Sequence, residues 1–158
     1  MKTTVTRLYR FSASHRLHLS QLSEDENTRL YGKCNNPFGH GHNYILEVTA
    51  AGPVDSETGQ VVRPAELDSL VGNCVLSLFG DRNINLDIPR FRELVPTTEN
   101  IATVISELLG ESWDSYISGP ARLRRVHVQE TDRNGFEIWV PAMPAKFEKQ
   151  RERAEVTL

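Results

Sequence analysis

The stretch Phe38-Gly39-His40-Gly41-His42-Asn43-Tyr44 leads directly into Ile45-Leu46-Glu47-Val48-Thr49, a run with the β-branched and apolar composition of a strand. Side chains alternate along a strand, so His40 and His42 are expected to project from one face. Two imidazoles spaced in this way can hold one metal ion, and Zn²⁺ binds imidazole well. The stretch therefore predicts a metal site at the start of a strand. The alternative is a plain polar face, since short motifs often match by chance.

His15 is the expected third ligand. Residues 3–15 are rich in β-branched and aromatic side chains and predict an earlier strand that ends at His15. Parity places His15 on a mainly apolar face, where a lone histidine is more often a structural residue than a ligand. His18, in the loop that follows, is the substitute if His15 does not reach the metal.

Cys34 lies in a polar, turn-prone segment, residues 16–37, which is too long for a plain connection. The pKa of a free cysteine is ~8.5 and falls beside a cation or a metal, so Lys33 and a nearby zinc ion are expected to lower it. The commoner alternative is an inert, buried thiol. Cys74 falls within an apolar helical stripe and is expected to belong to the core.

Two amphipathic helices are predicted in the middle of the chain. The first begins at Pro64 and ends at Gly80, which is expected to be a left-handed cap. The second opens at Thr97-Thr98-Glu99, where capping alone explains the residue types.

Two further strands follow these helices. Residues 122–130 alternate, the Asn134-Gly135 pair indicates a hairpin, and residues 136–140 form the return strand. The order of elements predicts an α+β domain over residues 1–140, with an antiparallel four-stranded sheet and two helices on one face. Open sheet edges favour a homo-oligomer with a closed barrel of strands. Residues 141–158 are expected to be a charged C-terminal extension.

Composition excludes several classes of function. The chain has 158 residues and a net charge of −3, which does not indicate binding to nucleic acid or to an anionic membrane. Two cysteines do not make a disulfide framework and fit a reducing compartment. No leader-like segment or membrane-spanning apolar run is seen, so a cytoplasmic protein is expected.

Four motifs with similar spacing resemble those of the 6-pyruvoyltetrahydropterin synthases and the related 6-carboxytetrahydropterin synthases. They are Phe11-Ser12-Ala13-Ser14-His15-Arg16-Leu17, the run from Gly32 to Tyr44, Pro96-Thr97-Thr98-Glu99-Asn100 and Glu130-Thr131-Asp132. The resemblance extends from about residue 5 to residue 140. The interval between Cys34 and the His40-Gly41-His42 motif is similar to that of the eukaryotic-type 6-pyruvoyl enzymes.

This resemblance implies the tunnelling (T-) fold, built as a trimeric barrel that usually stacks into a homohexamer with sites between subunits. It also implies a Zn²⁺ ion and the substrate 7,8-dihydroneopterin triphosphate, in tetrahydrobiopterin biosynthesis. Cys34 corresponds to the thiolate that moves protons on the substrate side chain. The implied metal ligands are His15, His40 and His42, and the implied pterin contacts are Glu130 with Thr97, Thr98 and Glu99 close by.

The chain departs from the family at one place. The Asp-His pair that partners the cysteine in proton transfer aligns with Gly80 and Asp81, and no histidine occurs between His42 and His127. Asp81 is the candidate replacement, but a carboxylate of pKa ~3.9 suits neutral proton transfer less well than an imidazole of ~6.5.

The sequence therefore predicts a zinc-dependent carbon–oxygen lyase that eliminates triphosphate and shifts hydrogen internally, with Cys34 as base. One alternative is carbon–carbon cleavage, by formation of 6-carboxytetrahydropterin or by cutting the dihydroneopterin side chain. The other is a pterin-binding homologue with impaired turnover.

Overall fold

A computed structural model describes residues 3–141, which form an α+β domain around a five-stranded sheet of order β3-β1-β2-β4-β5. Only the β1–β3 pair is parallel among these strands. The predicted α+β class is confirmed, but four strands was one too few, because β3 has two residues and leaves no alternation to detect. The strands are β1 (Thr3–His15), β2 (His40–Gly52), β3 (Arg82–Asn83), β4 (Arg122–Thr131) and β5 (Asn134–Trp139).

The hairpin of β1 and β2 determines which of their side chains face the core. The two strands pair antiparallel without interruption from Thr3 opposite Gly52 to His15 opposite His40. Alternate side chains, such as Phe11 on β1 and Tyr44 on β2, enter the core. Because His15 and Phe11 share parity, the same register delivers His15 to the core side at the end of the sheet.

The described residues contain more helices than the two predicted. They are α1 (Glu24–Tyr31), α2 (Pro64–Val71), α3 (Ser77–Phe79), α4 (Ile84–Asp87) and α5 (Thr98–Tyr116). The segment 16–37, predicted to be a loop, contains α1 and a 3₁₀ turn, Gly32–Asn35. Ser23 and Glu26 form a capping box at the start of α1, and this Ser-x-x-Glu pattern was a readable helix signal.

The helix that begins at Pro64 is interrupted by a π turn, Gly72–Leu76, before α3. Gly80 does not adopt the left-handed conformation predicted for it, since its φ is −62°. Instead Asp81 has a φ of 56°. The position requires glycine for a different reason, because a Cβ there would lie 2.6 Å from the carbonyl oxygen of Leu76.

Helix α5 closes the core over the sheet. Thr97 caps its N-terminus, Ile101, Ile105 and Leu109 are fully buried, and the Trp113 indole donates a hydrogen bond to the Ala121 carbonyl at 2.9 Å. Together with β4 and the helix α2, it forms one hydrophobic cluster with the inward side chains of β1 and β2.

Within residues 3–141, no helix combines the length and the apolar character needed to cross a lipid bilayer. The predicted C-terminal extension, apart from Pro141, lies outside the described residues.

Candidate metal and active site

Three imidazoles converge at the end of the β1–β2 hairpin. His15, His40 and His42 each offer one ring nitrogen, and these donor atoms all lie within 4.8 Å of one another. The Nε2 atoms of His15 and His40 are 3.1 Å apart. Ligands at ~2.0–2.1 Å from a tetrahedral zinc ion would be separated by about 3.3 Å, so this spacing fits a shared ion.

The hydrogen bonds of the rings leave nitrogen lone pairs available to a cation. His15 is 1% exposed, and its Nδ1–H donates to the Pro96 carbonyl oxygen at 2.8 Å, so its Nε2 carries the lone pair. His42 Nε2 is buried without a hydrogen-bond partner among the described residues. Buried polar atoms without partners are costly, and a metal ion bound there would remove that cost. The residues present therefore fit a zinc ion.

Burial favours the neutral, metal-binding form of two of these rings. Loss of hydration lowers the pKa of His15, an effect that the Pro96 hydrogen bond opposes. Burial also lowers the pKa of His40, and the neighbouring His42 ring acts in the same direction. Metal binding requires deprotonated imidazole nitrogen, so both shifts favour it.

Gly39 allows the chain to enter this cluster. Its φ is 70°, and a Cβ there would lie 2.9 Å from the His15 carbonyl oxygen. Both features exclude larger residues at the position immediately before His40.

Cys34 lines a cleft of about 720 Å³ together with His40 and His42. The backbone carbonyl of Cys34 accepts a hydrogen bond from Leu17 N at 2.8 Å, which ties the 3₁₀ turn to the end of β1. Burial raises the pKa of the Cys34 thiol, and the negative charge of Glu130 raises it further. The lowering expected from Lys33 is therefore not produced by the protein's own groups.

Glu130 lies on the inner side of the cluster. Its Oε1 is 3.5 Å from His15 Nε2 and 3.9 Å from His42 Nε2, and its side chain is 12% exposed. The β4–β5 register shifts between Gln129 and Thr131, so Glu130 is a bulged residue without a direct partner on β5. Bulges of this kind often redirect a side chain beside an active site.

Thr97, Thr98 and Glu99 each have a different environment. Thr97 Oγ1 accepts from Asn100 N at 3.3 Å, which is a helix cap. Thr98 is buried and its Oγ1 accepts from Asn134 Nδ2 at 3.2 Å. Glu99 is exposed in the first turn of α5. Only Thr98 is linked to Glu130, through Asn134.

Asp81 is exposed and lies beside a different depression. That depression measures about 430 Å³ and includes Ser12, Asn43 and His42 in its lining. The Asp81 N–H donates to the Ser12 carbonyl at 2.7 Å. His42 lines both clefts, whereas Cys34 lines only the first of these two. Within one subunit, the structure does not bring Asp81 and Cys34 together in one cleft.

Two other histidines lie away from the cluster. His18 Nδ1 is 3.0 Å from Asn35 Oδ1, and His127 Nδ1 is 3.8 Å from Glu47 Oε2 on the other side of the sheet. Sequence reasoning missed Asn134, whose Nδ2 donates to Glu130 Oε2 at 2.9 Å. The Asn134-Gly135 pair correctly predicted a hairpin, but its placement in the turn was wrong, because Asp132 and Arg133 form the turn and Asn134 begins β5 beside the bulge at Glu130.

Comparison with known proteins places this geometry in a family. Residues 4–141 match the family model for 6-pyruvoyl tetrahydropterin synthase. Two relatives named 6-pyruvoyl tetrahydrobiopterin synthase, from Poecilia reticulata and Homo sapiens, are each 42% identical to this chain over 132 residues. These alignments cover 82% of this chain, and 85% and 86% of the respective relatives.

The fold is similar as well. The solved 6-pyruvoyl tetrahydropterin synthase of Caenorhabditis elegans superposes with a TM-score of 0.80 at 38% identity, over 89% of this chain and 97% of that chain. The 6-pyruvoyl tetrahydropterin synthase of Plasmodium falciparum has a TM-score of 0.57 at 16% identity and covers 88% of this chain and 99% of its own, which shows the shared fold only. The chain belongs to the 6-pyruvoyl tetrahydropterin synthase family.

Proposed function

We propose that the protein is a zinc-dependent, 6-pyruvoyltetrahydropterin synthase-like lyase that acts on 7,8-dihydroneopterin triphosphate. The observation that supports this most directly is the convergence of His15, His40 and His42 beside a cleft lined by Cys34. A cation-binding cluster next to a thiol suits proton abstraction from carbon. The names of the relatives support the pterin substrate class.

The proposed roles follow from the contacts. His15, His40 and His42 hold the zinc ion, and the lowered pKa values of His15 and His40 favour the neutral form of those two rings that binds a metal. Bound zinc would supply Lewis acidity, which makes a carbon-bound proton beside a coordinated oxygen more acidic. Cys34 takes that proton as a thiolate. Triphosphate leaves with the electrons of its carbon–oxygen bond, and hydrogen shifts from the side chain to the ring, so no external redox partner is required.

The pterin ring is proposed to meet Glu130, whose carboxylate can accept hydrogen bonds from the guanidine-like ring edge. Glu130 Oε1 already lies 3.5 Å from His15 Nε2. The same carboxylate therefore lies beside the imidazoles that would bind the substrate side chain through the metal. Thr98 is linked to Glu130 through Asn134, Thr97 caps α5, and Glu99 lies in the first turn of that helix.

The decisive experiment is incubation of the zinc-loaded protein with 7,8-dihydroneopterin triphosphate, with mass identification of the products. Release of triphosphate together with 6-pyruvoyltetrahydropterin is expected. Cys34→Ala should reduce that rate by about 10²–10⁴-fold, because it removes the base. Cys74→Ala is the matched control, since Cys74 packs against the core away from the cleft. Equal rates for wild type and Cys34→Ala would refute the thiolate role.

A second candidate function follows from the position of Asp81 on a different depression from that of Cys34. Without a relay group, turnover could stop early or end in carbon–carbon cleavage, and the same product analysis distinguishes these outcomes. Tight pterin binding without any product would identify a binding homologue.

A further inference from the structure

We propose that Asn134 is a positioning residue that holds the Glu130 carboxylate against the imidazole cluster and thereby raises the affinity of the cluster for a divalent cation. This inference rests on the metal site of the proposed function. It does not depend on the identity of the reaction.

Glu130 cannot be placed by the strand alone. It keeps the inward parity of the buried Val126 and Val128, but it is the bulged residue of β4 and has no direct partner on β5, so strand pairing there does not hold its carboxylate in place. A carboxylate with 12% exposure needs hydrogen-bond partners to offset its lost hydration. Within residues 3–141, no lysine or arginine is paired with it. The Glu130 carboxylate is therefore held in place by uncharged hydrogen-bond donors.

Asn134 supplies the short contact. Its Nδ2 donates to Glu130 Oε2 at 2.9 Å, whereas the Tyr44 hydroxyl is 3.5 Å from Oε1, at the limit of a hydrogen bond. With Oε2 bound to the amide, Oε1 is left facing His15 and His42 at 3.5 and 3.9 Å. The Asn134 amide thus holds Oε2 in place and leaves Oε1 directed at the imidazole cluster.

Asn134 is itself anchored at both its backbone and its amide. Its backbone begins β5, opposite Thr131. The same Nδ2 also donates to Thr98 Oγ1 at 3.2 Å, and Thr98 is the buried first residue of α5. One side chain therefore connects two strands and a helix terminus to the carboxylate, which limits how far Glu130 can move.

The consequence for a cation is electrostatic. A negative charge within a few ångströms of a divalent ion, in a partly buried site, stabilises that ion. Outer groups that orient or charge a metal site typically contribute ~10–100-fold in metal affinity. Loss of Asn134 should release Glu130 toward solvent and remove most of that contribution.

The test is a double-mutant cycle on zinc affinity, measured by competition with a chromogenic chelator. Asn134→Ala is expected to weaken zinc binding about 10-fold or more, and Glu130→Gln at least as much. If Asn134 acts through Glu130, adding Asn134→Ala to Glu130→Gln should cause almost no further loss. An equal loss in both backgrounds, or unchanged affinity in Asn134→Ala, would overturn the inference.

Asn100→Ala is the matched control. The Asn100 amide donates to the Val95 carbonyl at 2.8 Å, at the same end of α5, and the hydrogen bonds of its side chain do not involve Glu130. It should lower the thermal midpoint of the metal-free protein without changing zinc affinity. The same midpoint shows whether Asn134→Ala is folded.

Thr98→Val provides a second route that keeps Asn134 and the size of the side chain. It removes the second acceptor of the amide, so zinc affinity should fall, but by less than in Asn134→Ala. Wild-type affinity in both variants would contradict the positioning role. If the wild-type protein bound no zinc, the metal site of the proposed function would fail instead, so the two failures are distinguishable.

Discussion

At the scale of single residues, we propose that Asp81 stands in place of the proton-relay imidazole that the family resemblance implies. Its left-handed backbone is a conformation in which aspartate, asparagine and histidine are enriched over other side chains. The position can therefore accept an imidazole without new backbone strain.

Asp81→His should increase turnover of 7,8-dihydroneopterin triphosphate, by about 10²-fold if a site between subunits brings the imidazole to the Cys34 thiol of a neighbouring copy, because an imidazole pKa of ~6.5 suits proton transfer at neutral pH. The measurement is kcat for triphosphate release. Glu57→His, on the distant turn after β2, controls for an added histidine. An unchanged kcat in Asp81→His would show that this position does not exchange protons with the substrate.

The three clustered histidines should bind zinc as a unit. His40→Ala is expected to abolish stoichiometric zinc binding and the rise in thermal midpoint that zinc produces. For wild type, zinc at 100 times its dissociation constant should add ~2.7 kcal/mol to the free energy of unfolding. His18→Ala is the control, because His18 contacts Asn35 outside the cluster. Equal zinc content in His40→Ala and wild type, measured by elemental analysis, would refute this ligand assignment.

The placement of these residues could be predicted from the sequence where it depends on neighbouring residues, and not where it depends on distant ones. The period of two along β2 is enough to place His40 and His42 on one face. His15 joins them only because β1 pairs with β2 in a register that extends to the last residue, and its tautomer depends on Pro96, far along the chain. The contact between Asn134 and Glu130 needs a bulge, which side-chain patterning does not reveal.

At the scale of elements, the end of the helix formed by α2, the π turn and α3 has no room for a side chain at Gly80. Gly80 N donates to the Leu76 carbonyl at 2.9 Å, and the space for a Cβ is occupied by that same oxygen. The predicted left-handed cap at Gly80 was wrong, because a chain reversal can be placed one residue later when an aspartate tolerates it.

Gly80→Asp should therefore destabilise the fold, by ~1–3 kcal/mol, since the helix end must move to admit the side chain. Gly72→Ala is the control in the same helix. Its backbone is right-handed helical and nothing lies within 4 Å of the added carbon, so this change should be neutral or stabilise by up to ~1 kcal/mol. Urea unfolding measures both, and equal stability of the two variants would contradict the steric explanation.

At the scale of the whole molecule, the sheet has two edges and one face that the helices do not cover. The short strand β3 forms one edge and β5 the other. Leu8 and Trp139, 48% and 59% exposed, lie on the face opposite the inward side chains. Exposed apolar groups and open edges favour association between copies.

We propose that the protein assembles as a homohexamer, a dimer of trimers whose strands close into a barrel, in the cytoplasm. Light scattering or native mass spectrometry should give a mass six times that of the 17.9 kDa subunit. Trp139→Glu should shift the population to smaller species, because it places a charge beside an open edge. Glu57→Lys, a charge change on the distant turn, is the control. A monomeric mass at micromolar concentration would refute the assembly.

The crowding at Gly80 also bears on ancestry. If a forebear of this chain carried an aspartate at position 80, restoring it by a single codon change would place its Cβ 2.6 Å from the Leu76 carbonyl oxygen. Return of the aspartate would need a prior adjustment of the preceding helical turn, so the change at position 80 would be difficult to reverse.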